Sequence, residues 1–355
     1  MGRRAKAGTV LAELVKLAVP LLQAAERESP RTGPGDKPDI PDWVMAGLIM
    51  IAVLKKKKTK SAQYRFLEEH RREIGQWLGN AQFPSRATYF RRYRRAHRLF
   101  RAAIRLQGEK AIAEGLVNER DVAVDKSLIE ALGPSWHKQD RQAGRIPAGV
   151  DVDSTWGYSE HDGWVQGYGY EVVVTATPAS IVFPLLASVD VGSASEARSF
   201  QAEIGFLPAE TVNVLADSGF DANYLGEAIE VNEHGQRTGR HFLCPENPRN
   251  NKRRKTKPCH ADASRVHSRE LRRQRRKFLK SERGRRLYAR RKKTVEPFNQ
   301  WLKALFELDK HVWHRGLDNN RTQMLAAIFA YQLLVRYNQR HGNENGQVCW
   351  ILDKL

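Results

Sequence analysis

The sequence predicts an α/β domain, a mixed sheet with helices over both faces, preceded by an all-α N-terminal region. Three observations carry this. Segments up to about Asn118 read as helices. Short β-branched or apolar runs follow at Asp121 to Asp125, Tyr168 to Ala176, Ile181 to Val189 and Thr211 to Ala216. Helical stretches fall between and after them, the order that covers a sheet on both sides. The chain has 355 residues, and at ~100 to 200 residues per domain that allows two or three domains. The expected division is a helical part at 1–115, an α/β part at 116–345 with a basic insertion at about 245–290, and a tail at 346–355.

A first helix is expected from Thr9 to Glu26, ending in a linker from Ser29 to Pro41 that holds four prolines and two glycines. Trp43 to Leu54 is the most apolar stretch, 12 residues ending in Lys55-Lys56-Lys57-Lys58. Spanning a bilayer takes about 20 residues, so this reads as a buried helix with a solvated basic end, and no membrane association is expected. A third helix covers Ala62 to Leu78. After Phe83-Pro84, Ser85 can cap a helix that mixes Arg86, Arg91 and Arg94 with Tyr89, Phe90 and Tyr93. A turn followed by a basic, aromatic helix suits a recognition helix of the helix-turn-helix kind, with arginines for phosphates and base edges. A surface helix whose arginine stems lie over a core fits the same stretch equally well.

In the second half, Thr177-Pro178-Ala179-Ser180 joins two strands into a hairpin. A helix from Ser195 to Phe206 comes next, and the strand at Thr211 to Ala216 runs into Asp217-Ser218-Gly219. A loop is expected from Pro245 to Ala263. Beyond it lies a long helix, broken near Gly284, whose Val295, Phe298, Leu302 and Leu305 keep an amphipathic period. Met324 to Tyr337 reads as a core-packing helix.

Sixty Lys plus Arg against forty Asp plus Glu give a net charge of +20 and a pI near 10.0, the footprint of a protein that meets polyanions, with nucleic acid leading. Arg249 to Lys293 holds 21 Lys or Arg against three acids, so nearly all the excess sits in one internal segment. Three scattered cysteines fit a reducing cytoplasm, and no secretory signal is visible. Cys244, Cys259, His260 and His267 follow no standard zinc-ligand spacing, so a structural or incidental role is favoured for them.

The chemistry candidates are acids. Asp125 follows an apolar strand and Asp217 closes another. A charge where a buried strand emerges needs a partner, and a divalent cation is one; a turn or cap aspartate is the plainer alternative. Glu296 lies on the long helix with Lys303 about 20° and Lys292 about 40° away around the axis, which presents a carboxylate flanked by cations, or a pair of surface salt bridges.

From about residue 40 to 335 these segments together resemble the DDE transposases of bacterial insertion sequences, in the branch with a Tyr-Arg-Glu-Lys signature. The resemblance rests on Phe83-Pro84-Ser85 with its basic helix, Val122-Ala123-Val124-Asp125, Gly167-Tyr168-Gly169-Tyr170, Val214 to Asp221, and Tyr288, Arg291, Val295-Glu296-Pro297-Phe298 and Lys303. The spacings are 92 positions from Asp125 to Asp217 and 79 from Asp217 to Glu296. It implies a ribonuclease-H-like fold, with Asp125, Asp217 and Glu296 as a metal-binding triad and Tyr288, Arg291 and Lys303 holding transposon-end DNA. In much of that branch the arginine stands four residues before the glutamate and the tyrosine seven, positions held here by Lys292 and Ala289. Either a helix irregularity restores the register or Lys292 does the arginine's work.

The resemblance further implies Mg²⁺, with Mn²⁺ able to substitute, in a pair of ions that drives strand cleavage at transposon ends and strand transfer into target DNA. Double-stranded DNA is the implied partner, through terminal inverted repeats and target. Arg272 and Arg276, in the basic segment, are expected to lie along its backbone with Arg86, Arg91 and Arg94 reading from the N-terminal helix. A homodimer on DNA in a bacterial cytoplasm, at the nucleoid, completes the expectation. A catalytically silent, domesticated or regulatory DNA-binding derivative, and a stand-alone nuclease, are the alternatives.

Overall fold

In the computed structural model, residues 7–30, 39–80, 82–248, 263–343 and 348–355 are described. The sheet is organised around β1 (Asp121–Glu130), where Val122, Ala123 and Val124 are wholly buried, as a strand covered on both faces requires. The short β2 (Thr155–Ser159) pairs antiparallel with the first part of β3 (Gly163–Thr175). The rest of β3 lies antiparallel between β1 and β4 (Pro184–Val191), with Asp125 opposite Val172. On the far side of β1, β5 (Asn213–Leu215) and then β6 (His241–Leu243) are added in parallel. Three antiparallel strands continued by parallel ones beyond β1 make the mixed, ribonuclease-H-like sheet.

The N-terminal helices are α1 (Ala7–Glu28), α2 (Asp42–Leu54), α3 (Lys60–Glu69), α4 (Arg71–Leu78), α5 (Arg86–Tyr93) and α6 (His97–Ala113). In α2 every residue from Val44 to Leu54 is buried, which is why no polar face is visible there. Apolar over Gly8–Glu28, α1 is long enough by composition to cross a bilayer. Its Leu14, Val15, Ala18 and Leu22 are instead wholly buried, and it packs on α2 and α6. The expected third helix is divided at His70 into α3 and α4, and α6 was not foreseen.

Between strands lie α7 (Lys138–Gln142), α8 (Glu196–Gln201) and α9 (Asn223–Glu230). The helix expected to reach Phe206 ends at Gln201 and gives way to a 3₁₀ turn. The basic segment forms α10 (Ala263–Lys280) and α11 (Glu282–Leu305), and the break falls at Ser281, which caps α11 by accepting from Gly284 N at 3.1 Å. Gly284 is needed there, because a Cβ would lie 2.0 Å from the Phe278 carbonyl oxygen. Most of the expected loop from Pro245 to Ala263 lies outside the described residues.

The chain then forms α12 (Leu317–Arg340) and α13 (Cys349–Leu352). Buried from Thr322 to Asn338, α12 packs on α6, α2 and β4, and Phe298 of α11 meets Tyr331 edge-on at 5.2 Å. Buried apolar side chains from both sides of residue 115 form one cluster. The tail is docked: Val348, Ile351 and Leu352 are buried, and Lys55 Nζ donates to the Leu355 carbonyl.

Candidate active site

Because β1 and β5 are parallel and in register, Ala123 beside Leu215, two further residues along each strand bring Asp125 level with position 217. Equal steps preserve the side of the sheet to which a side chain points, so both aspartates arrive on one face. Asp217 lies just past β5, where its Oδ1 accepts from Gly219 N at 2.7 Å and closes a 3₁₀ turn. Over this end of the sheet lies α11. Its Arg291 Nη2 donates to Asp125 Oδ1 and stands 3.4 Å from Asp217 Oδ2, while Asn299 Nδ2 donates to Asp125 Oδ2 at 2.8 Å.

The Asp125 side chain is only 13% exposed. Burial pushes its carboxyl up to about 6 against the opposing pull of Arg291, and the nearby Asp217 pushes the same way as burial. Arg291 is raised by Asp125 and Asp217 despite its own burial. One guanidinium nitrogen thus serves two carboxylates.

A third carboxylate lies beside Asp217, from a place the sequence did not advertise. Glu196 opens α8, where an acid in a helix's first turn reads as a partner for the helix dipole. Here burial first, then Asp217, push its carboxyl up to about 7. Behind it, Glu171 on β3 is 4% exposed and neither of its carboxylate oxygens has a hydrogen-bond partner. Lys126, next to Asp125 on β1, donates from Nζ to the carbonyls of Gly192 at 2.9 Å and Ala194 at 2.6 Å.

Tyr288 is half-buried beside this centre and its hydroxyl is pushed up to about 12 by burial. Lys303 Nζ donates to the Leu128 carbonyl at 2.9 Å, pinning α11 to β1. Arg291 faces inward and Lys292 is exposed within a helix assigned as α throughout. Glu296 is also exposed, three residues before Asn299, and it does not join the two aspartates. Among the described residues no group of three or more His, Cys, Asp or Glu is arranged as a metal site.

Of the other basic candidates, Arg272 is engaged by Asp221 at 2.8 Å and Glu246 at 3.0 Å, whereas Arg276 is exposed and 3.8 Å from Glu246. Ser85 caps α5 as expected, accepting from Thr88 N at 3.2 Å. Arg86 and Arg91 on it and Arg94 at its end are exposed, while Tyr89 and Tyr93 are buried. Cys244 is buried and its Sγ donates to the Asp217 carbonyl at 2.8 Å, a structural use. Cys259 and His260 lie outside the described residues.

The donors around Arg291 are hard carboxylate oxygens converging on one positive group, which is the donor chemistry a Mg²⁺ or Mn²⁺ ion takes. The fold and site therefore define a ribonuclease-H-like α/β protein with an acidic centre built on two adjacent parallel strands. The family model of the transposase DDE domain matches residues 118–333, more than half the chain, and the protein belongs to that family. It is by family a DNA transposase, of a kind that binds DNA and generally uses divalent metal ions. No curated relative matches. A solved structure of the piggyBac transposase synaptic complex with hairpin DNA is similar over 99% of this chain and 79% of that one, at 9% identity and a TM-score of 0.44.

Proposed function

We propose that this protein cuts DNA strands at transposon ends and joins the freed 3′ ends to target DNA, with Asp125 and Asp217 as the strand-borne metal ligands and Glu296 as the third carboxylate of the triad. The observation that carries the reading is the register of β1 and β5, which brings the two aspartates to one cation, Arg291. Glu296 enters the triad by the family resemblance; on α11 it is exposed. Residues three apart on a helix are neighbours, and Asn299, three beyond Glu296, touches Asp125.

Bound Mg²⁺ or Mn²⁺ would supply Lewis-acid assistance to in-line displacement at phosphorus. The chain's own groups do the rest. Asp125 and Asp217 would hold the ions, and Asn299 orients the Asp125 carboxylate. Exposed Arg86, Arg91 and Arg94 grip end DNA, and the exposed cations of α10 and α11, among them Arg276 and Lys292, carry its backbone. Two copies of the chain would hold the two ends.

The test is cleavage of a plasmid carrying the coding region with its natural flanks, in Mg²⁺. Asp125→Asn, Asp217→Asn and Glu296→Gln should each lose detectable cutting while still shifting flank DNA in a gel. Full cutting by Asp125→Asn or Asp217→Asn overturns the reading. Full cutting by Glu296→Gln alone removes that residue from the triad.

A further inference from the structure

Resting on the metal-assisted reading above, we propose that Glu196 is a further metal-ligating carboxylate of the reaction centre, supplied by α8 beside Asp217. Three independent features of the fold converge on it.

The first is the space the two carboxylates share. A Cβ built on Gly219 would lie 2.0 Å from Glu196 Oε2 and 2.9 Å from Asp217 Oδ1. Gly219 lies in the 3₁₀ turn after Asp217, so both carboxylates border the same small space. Two like charges facing one space repel unless a cation or a proton stands between them. Glu196 makes no direct ion pair among the described residues: Lys126, the nearest opposing charge, is bonded to two backbone carbonyls, and the Arg291 guanidinium is spent on Asp125 and Asp217.

The second is how Glu196 is held. Lys126 follows Asp125 on β1, and its side chain leaves from the opposite face of the strand. There it fastens the Gly192 and Ala194 carbonyls, in the loop that leads into α8. The start of α8 is thereby fixed to the strand that carries Asp125, and Glu196 is placed by the same β1 segment that places the first aspartate. A helix of six residues would otherwise leave its first side chain poorly determined.

The third is the buried acid behind it. Glu171, paired in register with Lys126, has both oxygens buried without a hydrogen-bond partner, and Glu196 is its strongest charged neighbour. A carboxyl left unsatisfied at such depth is costly. Glu171 lies with Lys126 on the face of the sheet away from Asp125, against Glu196.

Mn²⁺ binding to the full-length protein without DNA, followed by electron paramagnetic resonance and by the shift in melting temperature, tests this apart from catalysis. Glu196→Gln keeps the shape and removes the charge. Without metal it should melt at or above wild type, because a crowded carboxylate is gone. With Mn²⁺ it should gain less than wild type and bind about tenfold more weakly. If Glu196→Gln fails to fold, Glu196→Asp, which keeps the charge but withdraws it by one methylene, should also bind more weakly. Unchanged Mn²⁺ affinity in a folded Glu196 variant overturns the inference. Asp125→Asn and Asp217→Asn in the same assay separate the two readings: if they lose Mn²⁺ and Glu196→Gln does not, only the role of Glu196 fails, and if all three bind as wild type the metal reading of the site fails as well.

Discussion

Arg291 is bonded through Nη2 to the carboxylate of Asp125, so the centre is closed by a cation from the protein's own helix. Both side chains are nearly buried, at 9% and 13% exposure. On the proposed reading, an ion held by Asp125 and Asp217 would compete with this guanidinium for the same carboxylates. Arg291→Ala should therefore destabilise the metal-free protein, by about 3 kcal/mol for a broken buried pair, and at the same time tighten Mn²⁺ binding. Lys292→Ala, on the exposed side, should change neither. Melting curves and calorimetry check both, and weaker Mn²⁺ binding by Arg291→Ala would show that the guanidinium supports the ion's site instead of competing for it.

On α5 the arginines divide by burial. Arg92 is 6% exposed and its guanidinium donates to the Ile40 carbonyl at 2.7 Å and to Asp42. Arg92→Ala should lower stability by about 3 kcal/mol. Replacing exposed Arg91 and Arg94 should leave the folding stability within about 0.5 kcal/mol of wild type while weakening binding to end DNA. Chemical denaturation and gel shifts on the same preparations separate the two effects.

The arginines of α10 divide in the same way. Arg275 is 7% exposed, over the Phe242 ring at 4.7 Å, and Arg272 is paired with Asp221. Their replacement by Gln should cost stability. Arg273, Arg276 and Lys277 face the surface, and their triple Gln variant should flatten the plot of log affinity against log salt by about 0.9 for each phosphate no longer neutralised. An unchanged slope would place this helix away from DNA.

His314 provides a pH test. Burial, aided by nearby Lys60, pushes its imidazole down to about 3, and its Nε2 meets the Tyr93 hydroxyl at 2.9 Å. The folded state holds it neutral whereas the unfolded chain protonates it near 6.5. Its contribution is then complete above pH 6.5 and lost progressively as pH falls toward 3, by at most about 1.4 kcal/mol per pH unit. His314→Gln should flatten that fall relative to wild type in denaturation curves taken between pH 7 and 4. Parallel curves would mean His314 is protonated in the fold.

What the sequence disclosed and what it hid follow from the range of the forces involved. Strands β1, β3, β4 and β5 were legible because their β-branched runs are local, and Asp125 and Asp217 because each ends or interrupts such a run. The strands at Thr155–Ser159 and His241–Leu243 were not, being three to five residues long and carrying Trp, Tyr, Ser and His in place of a Val/Ile run. Helix α6 was missed because its Arg, Gln and Lys residues interrupt a buried stripe that α1, α12 and β4 complete. Periodicity identified the helix of Arg291 and Glu296 but not its rotation about its own axis. That rotation is set by Phe298 against Tyr331 and by Lys303 on Leu128, contacts with distant segments. Glu196 had no local signature, since its neighbours Asp217 and Gly219 come from another strand end.

The bond from Tyr93 to His314, with Thr322 Oγ1 donating to the Tyr93 carbonyl at 2.7 Å, ties the last turn of α5 to the segment entering α12, the helix that also backs α11. If α5 grips end DNA as proposed, that DNA is held at a set offset from Asp125. The molecule would then work as a caliper: the distance along a duplex from the gripped sequence to the severed bond would be a property of the protein's core. Lengthening the DNA between the two should abolish cutting rather than move it.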